Sequence, residues 1–258
     1  MSDNEFRREL RNSPDGRLHD GVLPGVPAEE AARADLQRRL ESVTRVVLRP
    51  LASPLPLGFL ALAAATLLVS GLQLGWLAPD QQRPVALALL AFVFPLQLLA
   101  SVLGYLSRDS VAGTGMGILA GTWLTTGLVQ LTSPPGSTSD GLGLLLVVAG
   151  VAMLVPATGA LLGKLVPAMV LFTTSLRFFA TGIYQLTADR GWKLAAGWIG
   201  ILLFAVAVYA ALAAELEDVR GKPALPTLRR AKGKMSIEGT LLDQVMDVHH
   251  EPGVRRQL

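Results

Sequence analysis

Arg177 offers the clearest chemistry in the chain. It stands in the middle of the apolar stretch Leu165–Leu186, and none of the six such stretches holds an Asp or Glu to pair with it. A cation near a bilayer centre costs about 2.5–3.5 kcal/mol on insertion scales, and such residues usually face a bundle interior or an aqueous cavity. In a water-filled path its guanidinium would attract a carboxylate. The other reading is that carbonyls exposed at helix bends satisfy it, or that it snorkels to water. Thr173-Thr174-Ser175 lies within a turn of Arg177 and would suit a hydrated anion path. A second candidate is the segment from Pro54 through Pro56 to Gly58. Each proline lacks an N–H and biases its predecessor away from helix, so helix entry is expected near Leu57. Free N–H groups at such a start would favour an anion at a pore mouth; an ordinary proline-marked helix start reads the same way.

Other chemistries find no support. The chain has no cysteine, and its three histidines (His19, His249 and His250) all lie in the polar ends. No pair of carboxylates enters an apolar stretch, and no Gly-rich loop runs into Lys-Ser/Thr. These features assign no catalytic residue, no cofactor and no metal. His249 and His250 are adjacent and cannot share one helical face. The net charge of +3 is spread over two tails, which gives nucleic-acid binding no support.

The elements that must position Arg177 are six apolar stretches: Leu57–Leu77, Val85–Leu106, Ala112–Thr132, Gly141–Leu162, Leu165–Leu186 and Trp192–Ala214. Each approaches the roughly 20 residues a helix needs to cross a hydrocarbon core. Half the residues are hydrophobic (51%) and 17% are charged, and the charges concentrate outside these stretches. A barrel strand would alternate apolar and polar residues; these runs do not. The fold class predicted is all-α, a polytopic six-transmembrane-helix bundle. It divides the chain into an N-terminal tail (1–50), a membrane domain (51–214) and a C-terminal tail (215–258).

In the first tail, Leu36, Leu40, Val43 and Val47 share one helical face, with Arg33, Arg38, Arg39, Arg45 and Arg49 over much of the rest. That pattern suits a helix on an anionic leaflet, or one packed beneath the bundle. Its polar character does not read as a signal peptide. Lys and Arg are abundant in both tails, whereas the first and third connections hold only Arg83. The positive-inside rule then predicts two cytoplasmic termini. Arg190 and Lys193 would face outward. In the third stretch, Gly113, Gly117 and Gly121 repeat at GxxxG spacing, read as close helix packing. Isolated Gln73, Gln97 and Thr126 read as interhelical hydrogen bonds.

Two motifs carry a family resemblance. Ser53-Pro-Leu-Pro-Leu-Gly-Phe59 resembles the Asn-Pro-Ala-Pro-Leu-Gly-Leu signature of the acetate transporter family of bacterial acetate/succinate permeases and fungal acetate transporters. Ala196-Gly-Trp-Ile-Gly200, Tyr209 and Gly221-Lys-Pro-Ala-Leu-Pro226 resemble its Ala-Gly-Trp-Ile-Gly, Tyr and Gly-Arg-x-x-Leu-Pro pattern. Tyr105, Thr114 and Trp123 also fall where the family has the same residues. The motif positions are therefore Ser53, Leu57, Gly197, Trp198 and Tyr209. Positions that in the bacterial permeases hold a pore-narrowing Phe, Tyr and Leu are Leu62, Leu119 and Thr174 here. Arg177 stands where those permeases carry an aliphatic residue.

The resemblance implies a multi-pass protein of the plasma membrane, assembled as a homo-hexamer in the lipid bilayer. It would pass acetate or another small organic anion, a monocarboxylate, through each protomer, with a proton as the candidate coupling ion. The path residues it and the chemistry together suggest are Pro54, Pro56, Gly58, Leu62, Leu119, Thr174 and Arg177. Two alternatives stay open: a non-transporting membrane sensor or scaffold using its charged tails, and a channel for ammonia or another neutral solute.

Overall fold

The computed structural model describes Asp35 and residues 51–163, 165–220 and 224–226. The chain divides into two units, Met1–Val46 and Val47–Leu258, and the helices below all belong to the second. The basic amphipathic helix expected in the first tail, and the His249–His250 pair, lie outside the described residues.

Among the described residues, six helical rods follow one another: α1 (Leu55–Leu74), α2 (Pro79–Leu106), α3 (Ser110–Thr132), α4 (Asp140–Leu161), α5 (Leu165–Thr187) and α6 (Arg190–Arg220). Among the described residues all but α3 are both long and apolar enough to cross a membrane. Glycines and threonines dilute the apolar character of α3. Each rod packs on its neighbour in sequence, and α6 returns to α1, so the six close into a ring.

Local chemistry sets the ends and bends. α1 starts at Leu55, earlier than the two prolines suggested: Pro54 already has helical angles (φ −77°, ψ −8°). Pro56 falls in the first turn, where a missing N–H leaves no bond unmade. Gly75, at φ 77°, ends the helix in the left-handed region that favours glycine. In α2 the ladder widens to a π turn at Leu89–Val93, with the Phe94 N–H reaching the Leu89 carbonyl. Pro95 follows at once, so the altered register accommodates a residue with no N–H to give. Asp109 and Ser139 cap α3 and α4 through the N–H groups of Ala112 and Leu142. α6 continues six residues beyond the expected Ala214, carrying Glu215, Glu217 and Asp218 out of its apolar part.

Small residues let the rods touch. A Cβ on Gly104 would stand 2.7 Å from the Gly113 nitrogen, so α2 and α3 cross with backbone against backbone. Gln97 donates to the Gly58 carbonyl at 3.3 Å, and Ser175 donates to the Gly150 carbonyl at 2.7 Å, tying α2 to α1 and α5 to α4. Trp76 and Trp198 meet edge to face, with centroids 6.3 Å apart, and both are exposed. Such rings suit a membrane interface.

Candidate functional site

The guanidinium of Arg177 is seated by three other helices. Its Nη2 faces Gln73 Oε1 of α1 at 3.5 Å, and its Cζ lies 5.9 Å from the ring centroid of Trp123 on α3. On the α6 side stands Gly200, where a Cβ would run into Ser70 Oγ and come 2.8 Å from Arg177 Cζ. The missing side chain at Gly200 therefore makes room for the cation. Gln73 is held in turn by donating to Thr181 Oγ1 at 3.4 Å. Arg177 is 2% exposed, no carboxylate among the described residues pairs with it, and its Nη1 has no hydrogen-bond partner.

That guanidinium forms the floor of a cavity of about 90 Å³. The cavity opens at the end carrying the α1–α2, α3–α4 and α5–α6 connections, where Gly136 and, at the starts of α2 and α6, Pro79 and Lys193 line it. The rim is stitched by two amides. Gln82 donates to the Gln130 carbonyl and accepts from the Gly136 N–H, both at 2.8 Å, and Gln185 accepts from the Ser139 N–H at 2.8 Å. Lys193 Nζ lies 5.9 Å over the Tyr184 ring at the same mouth.

A second cavity of about 540 Å³ occupies the opposite end. It reaches Ser53 and Pro54 before α1, Arg108 and Asp109 between α2 and α3, and Asp218 near the end of α6. Asp218 Oδ2 accepts from the Ser53 N–H at 3.1 Å. The mouth expected to attract anions with bare amides thus already holds a carboxylate. Pro56 and Gly58 are buried in packing beside it, a Cβ on Gly58 meeting Met116 Sδ at 2.5 Å, rather than lining the opening.

Between the cavities the bundle is filled. Along α1, α3 and α5 the same order repeats: a residue of the larger cavity, a fully buried one, then a residue of the smaller cavity. The series are Phe59, Leu62, Val69; Met116, Leu119, Trp123; and Leu171, Thr174, Arg177. Leu62, Leu119 and Thr174 are each 0% exposed. At 1.5 Å per residue, the distance from Leu171 to Arg177 makes this closed layer about 9 Å deep along α5.

The other expected site residues disperse. The Thr173, Thr174 and Ser175 hydroxyls all donate to backbone carbonyls (Met169, Val170 and Gly150), and none of the three residues lines either cavity. Ser53 lines the larger cavity, and Leu57 is half-buried at the start of α1. Gly197 packs on Leu74, Trp198 faces outward, and Tyr209 donates to the Pro226 carbonyl at 2.9 Å, fastening the segment after α6. Sequence reasoning missed Ser70, Gln130 and Gly200 as neighbours of Arg177 or its cavity. Trp123, Thr126 and Gln130 do carry a signal, since spacings of three and four place them on one face of α3.

Two cavities at opposite ends of a closed ring of helices, five of them long and apolar enough to cross a membrane, with one buried layer between, are the arrangement a membrane transport path requires. No protein-family model matches the chain. It is 29% identical over 181 residues to the succinate-acetate/proton symporter SatP of Escherichia coli, covering 68% of this chain and 95% of that protein. The Shigella flexneri protein of the same name matches to the same extent. The solved structure of the bacterial acetate channel SatP superposes with a TM-score of 0.61 at 27% identity, over 69% of this chain and 99% of that one. The chain is thus similar in sequence and in fold to bacterial proteins that carry succinate and acetate.

Proposed function

We propose that this protein carries acetate or a related small monocarboxylate across the plasma membrane, each protomer forming its own path. The observation that carries the reading is Arg177: a buried guanidinium with a free Nη1, facing a small cavity directly above the closed layer. A cation held at low dielectric attracts a carboxylate strongly, at about 4 kcal/mol for 4 Å and an effective dielectric near 20, before desolvation of the anion is subtracted. The names of the relatives support the same substrate class, and one of them supports a co-transported proton. In this reading α3 is the sixth crossing helix, lining the path rather than facing lipid, and Leu62, Leu119 and Thr174 must move apart for each passage. Both termini are cytoplasmic, so the smaller cavity faces outward. The assembly is a homo-hexamer.

Tracer uptake into reconstituted vesicles, with a panel of short carboxylates, tests the function directly. Uptake that is saturable and falls in Arg177→Leu supports it; no carboxylate flux above empty vesicles would sink it. The aliphatic layer favours one competing reading, a channel for a neutral solute such as ammonia. Flux through such a channel would be indifferent to Arg177→Leu and to salt. A reporter inserted at Ser137 should signal the outside and one after Leu258 the cytoplasm. Mass measurement in nanodiscs should give six copies, and a stable, active monomer would refute that assembly.

A further inference from the structure

The smaller cavity is better matched to some carboxylates than to others. Among the described residues, most threonines in the rods bond a carbonyl three or four residues back, as Thr66, Thr122, Thr125, Thr132, Thr173 and Thr174 do. Thr126, 5% exposed, does not; its hydroxyl is buried without a partner. The same holds for Trp123 Nε1, one turn below it, for Gln130 Oε1, one turn above, and for Arg177 Nη1. All four residues line this cavity. Trp123, Thr126 and Gln130 climb one face of α3 in steps of about 4.5 and 6 Å.

Their hydrogen-bonding characters differ along that climb. The guanidinium and the indole only donate, a hydroxyl both donates and accepts, and an amide oxygen only accepts. A carboxylate is acceptor-only and satisfies the two donors at the floor. It offers nothing to Gln130 Oε1, and the methyl group of acetate would leave Thr126 unpaired as well. A ligand with a hydroxyl beside its carboxylate carries groups complementary to all four.

We propose that this cavity selects 2-hydroxy monocarboxylates over their plain counterparts, with Arg177 and Trp123 holding the carboxylate and Thr126 and Gln130 holding the hydroxyl. The proposal rests on the carboxylate reading above and narrows its substrate class. A site built to hydrogen-bond a substrate hydroxyl disfavours the analogue lacking it, because its buried polar groups are then left unpaired.

Calorimetric titration of the full chain in nanodiscs, with glycolate against acetate and lactate against propionate, tests it. The hydroxy acid should bind at least about fivefold more tightly in both pairs, the effect of about one net hydrogen bond. That ratio should collapse toward one in Thr126→Val and in Gln130→Leu, and Thr126→Ser, which keeps the hydroxyl, should retain it. Arg177→Leu should weaken all four acids together. A ratio near one in the unmodified protein overturns the proposal, as does a ratio that survives both Thr126→Val and Gln130→Leu. Should Thr126→Val not fold, Gln130→Leu decides alone. Vesicle uptake separates this from the transport reading. Hydroxy-acid preference in binding without uptake counts against transport alone. Acetate uptake without that preference counts against selectivity alone.

Discussion

The two cavities use charge in opposite ways. At the larger, charge is already engaged: the Asp218 carboxylate holds the Ser53 N–H, and Asp109 caps α3 through Ala112. At the smaller, a 2%-exposed arginine ends in an Nη1 with no partner, and three buried polar atoms on α3 likewise lack partners. Volume follows the same division, about 540 Å³ against about 90 Å³. In the proposed reading, a roomy end whose carboxylates are engaged by backbone N–H groups would admit solute without holding it, and a tight end with an unpartnered cation would bind it. The comparison then puts selection on one side of the closed layer.

The strongest way to break that asymmetry is to remove the layer itself. Leu119→Ala deletes a fully buried side chain, at a cost of about 2–5 kcal/mol in stability. It should also join the cavities, so thermal unfolding should shift down while the flux of larger carboxylates in vesicles rises. A lower flux would show that Leu119 supports the path instead of closing it.

Gly200→Val attacks the seat of the cation. The added Cβ meets Ser70 and Arg177 Cζ, and overpacking of this kind costs about 1–3 kcal/mol. The guanidinium should be displaced, so carboxylate affinity should fall together with the unfolding temperature. Unchanged affinity would mean that the seat is not needed for binding.

Arg177→Leu separates charge from packing. A net loss of about 1.4 kcal/mol would lower anion affinity tenfold, while removal of an unpaired buried charge should raise the unfolding temperature. Arg177→Lys should keep part of the uptake. Normal transport by Arg177→Leu would end the anion-site reading and leave the residue a structural one.

The smallest effect sharpens the contrast from the other end. Asp218→Ala removes the acceptor for an exposed N–H at the larger cavity, a loss of about 0.5–1.5 kcal/mol at most. Uptake should stay within about twofold of the unmodified protein. A tenfold change would place selection at both ends and dissolve the comparison.

The sequence by itself determined the fold class, because the hydrophobic effect acts on run length and composition. Long charge-poor segments admit only helices where the backbone must satisfy its own hydrogen bonds. It also singled out Arg177, since an isolated cation in an apolar run is conspicuous without any neighbour. Local rules were less decisive at Pro54 and Pro56, where a first-turn proline suits a helix start as well as it delays one.

Only the tertiary structure decided which residues meet. Thr173, Thr174 and Ser175 looked like company for Arg177, yet helical geometry sends their hydroxyls to backbone carbonyls on α4 and α5. The groups that surround the guanidinium come from Gln73, Trp123 and Gly200, on α1, α3 and α6. A buried arginine is unusual in any sequence; whether it is free to bind depends on which polar atoms stand around it, and that is set by how the helices pack.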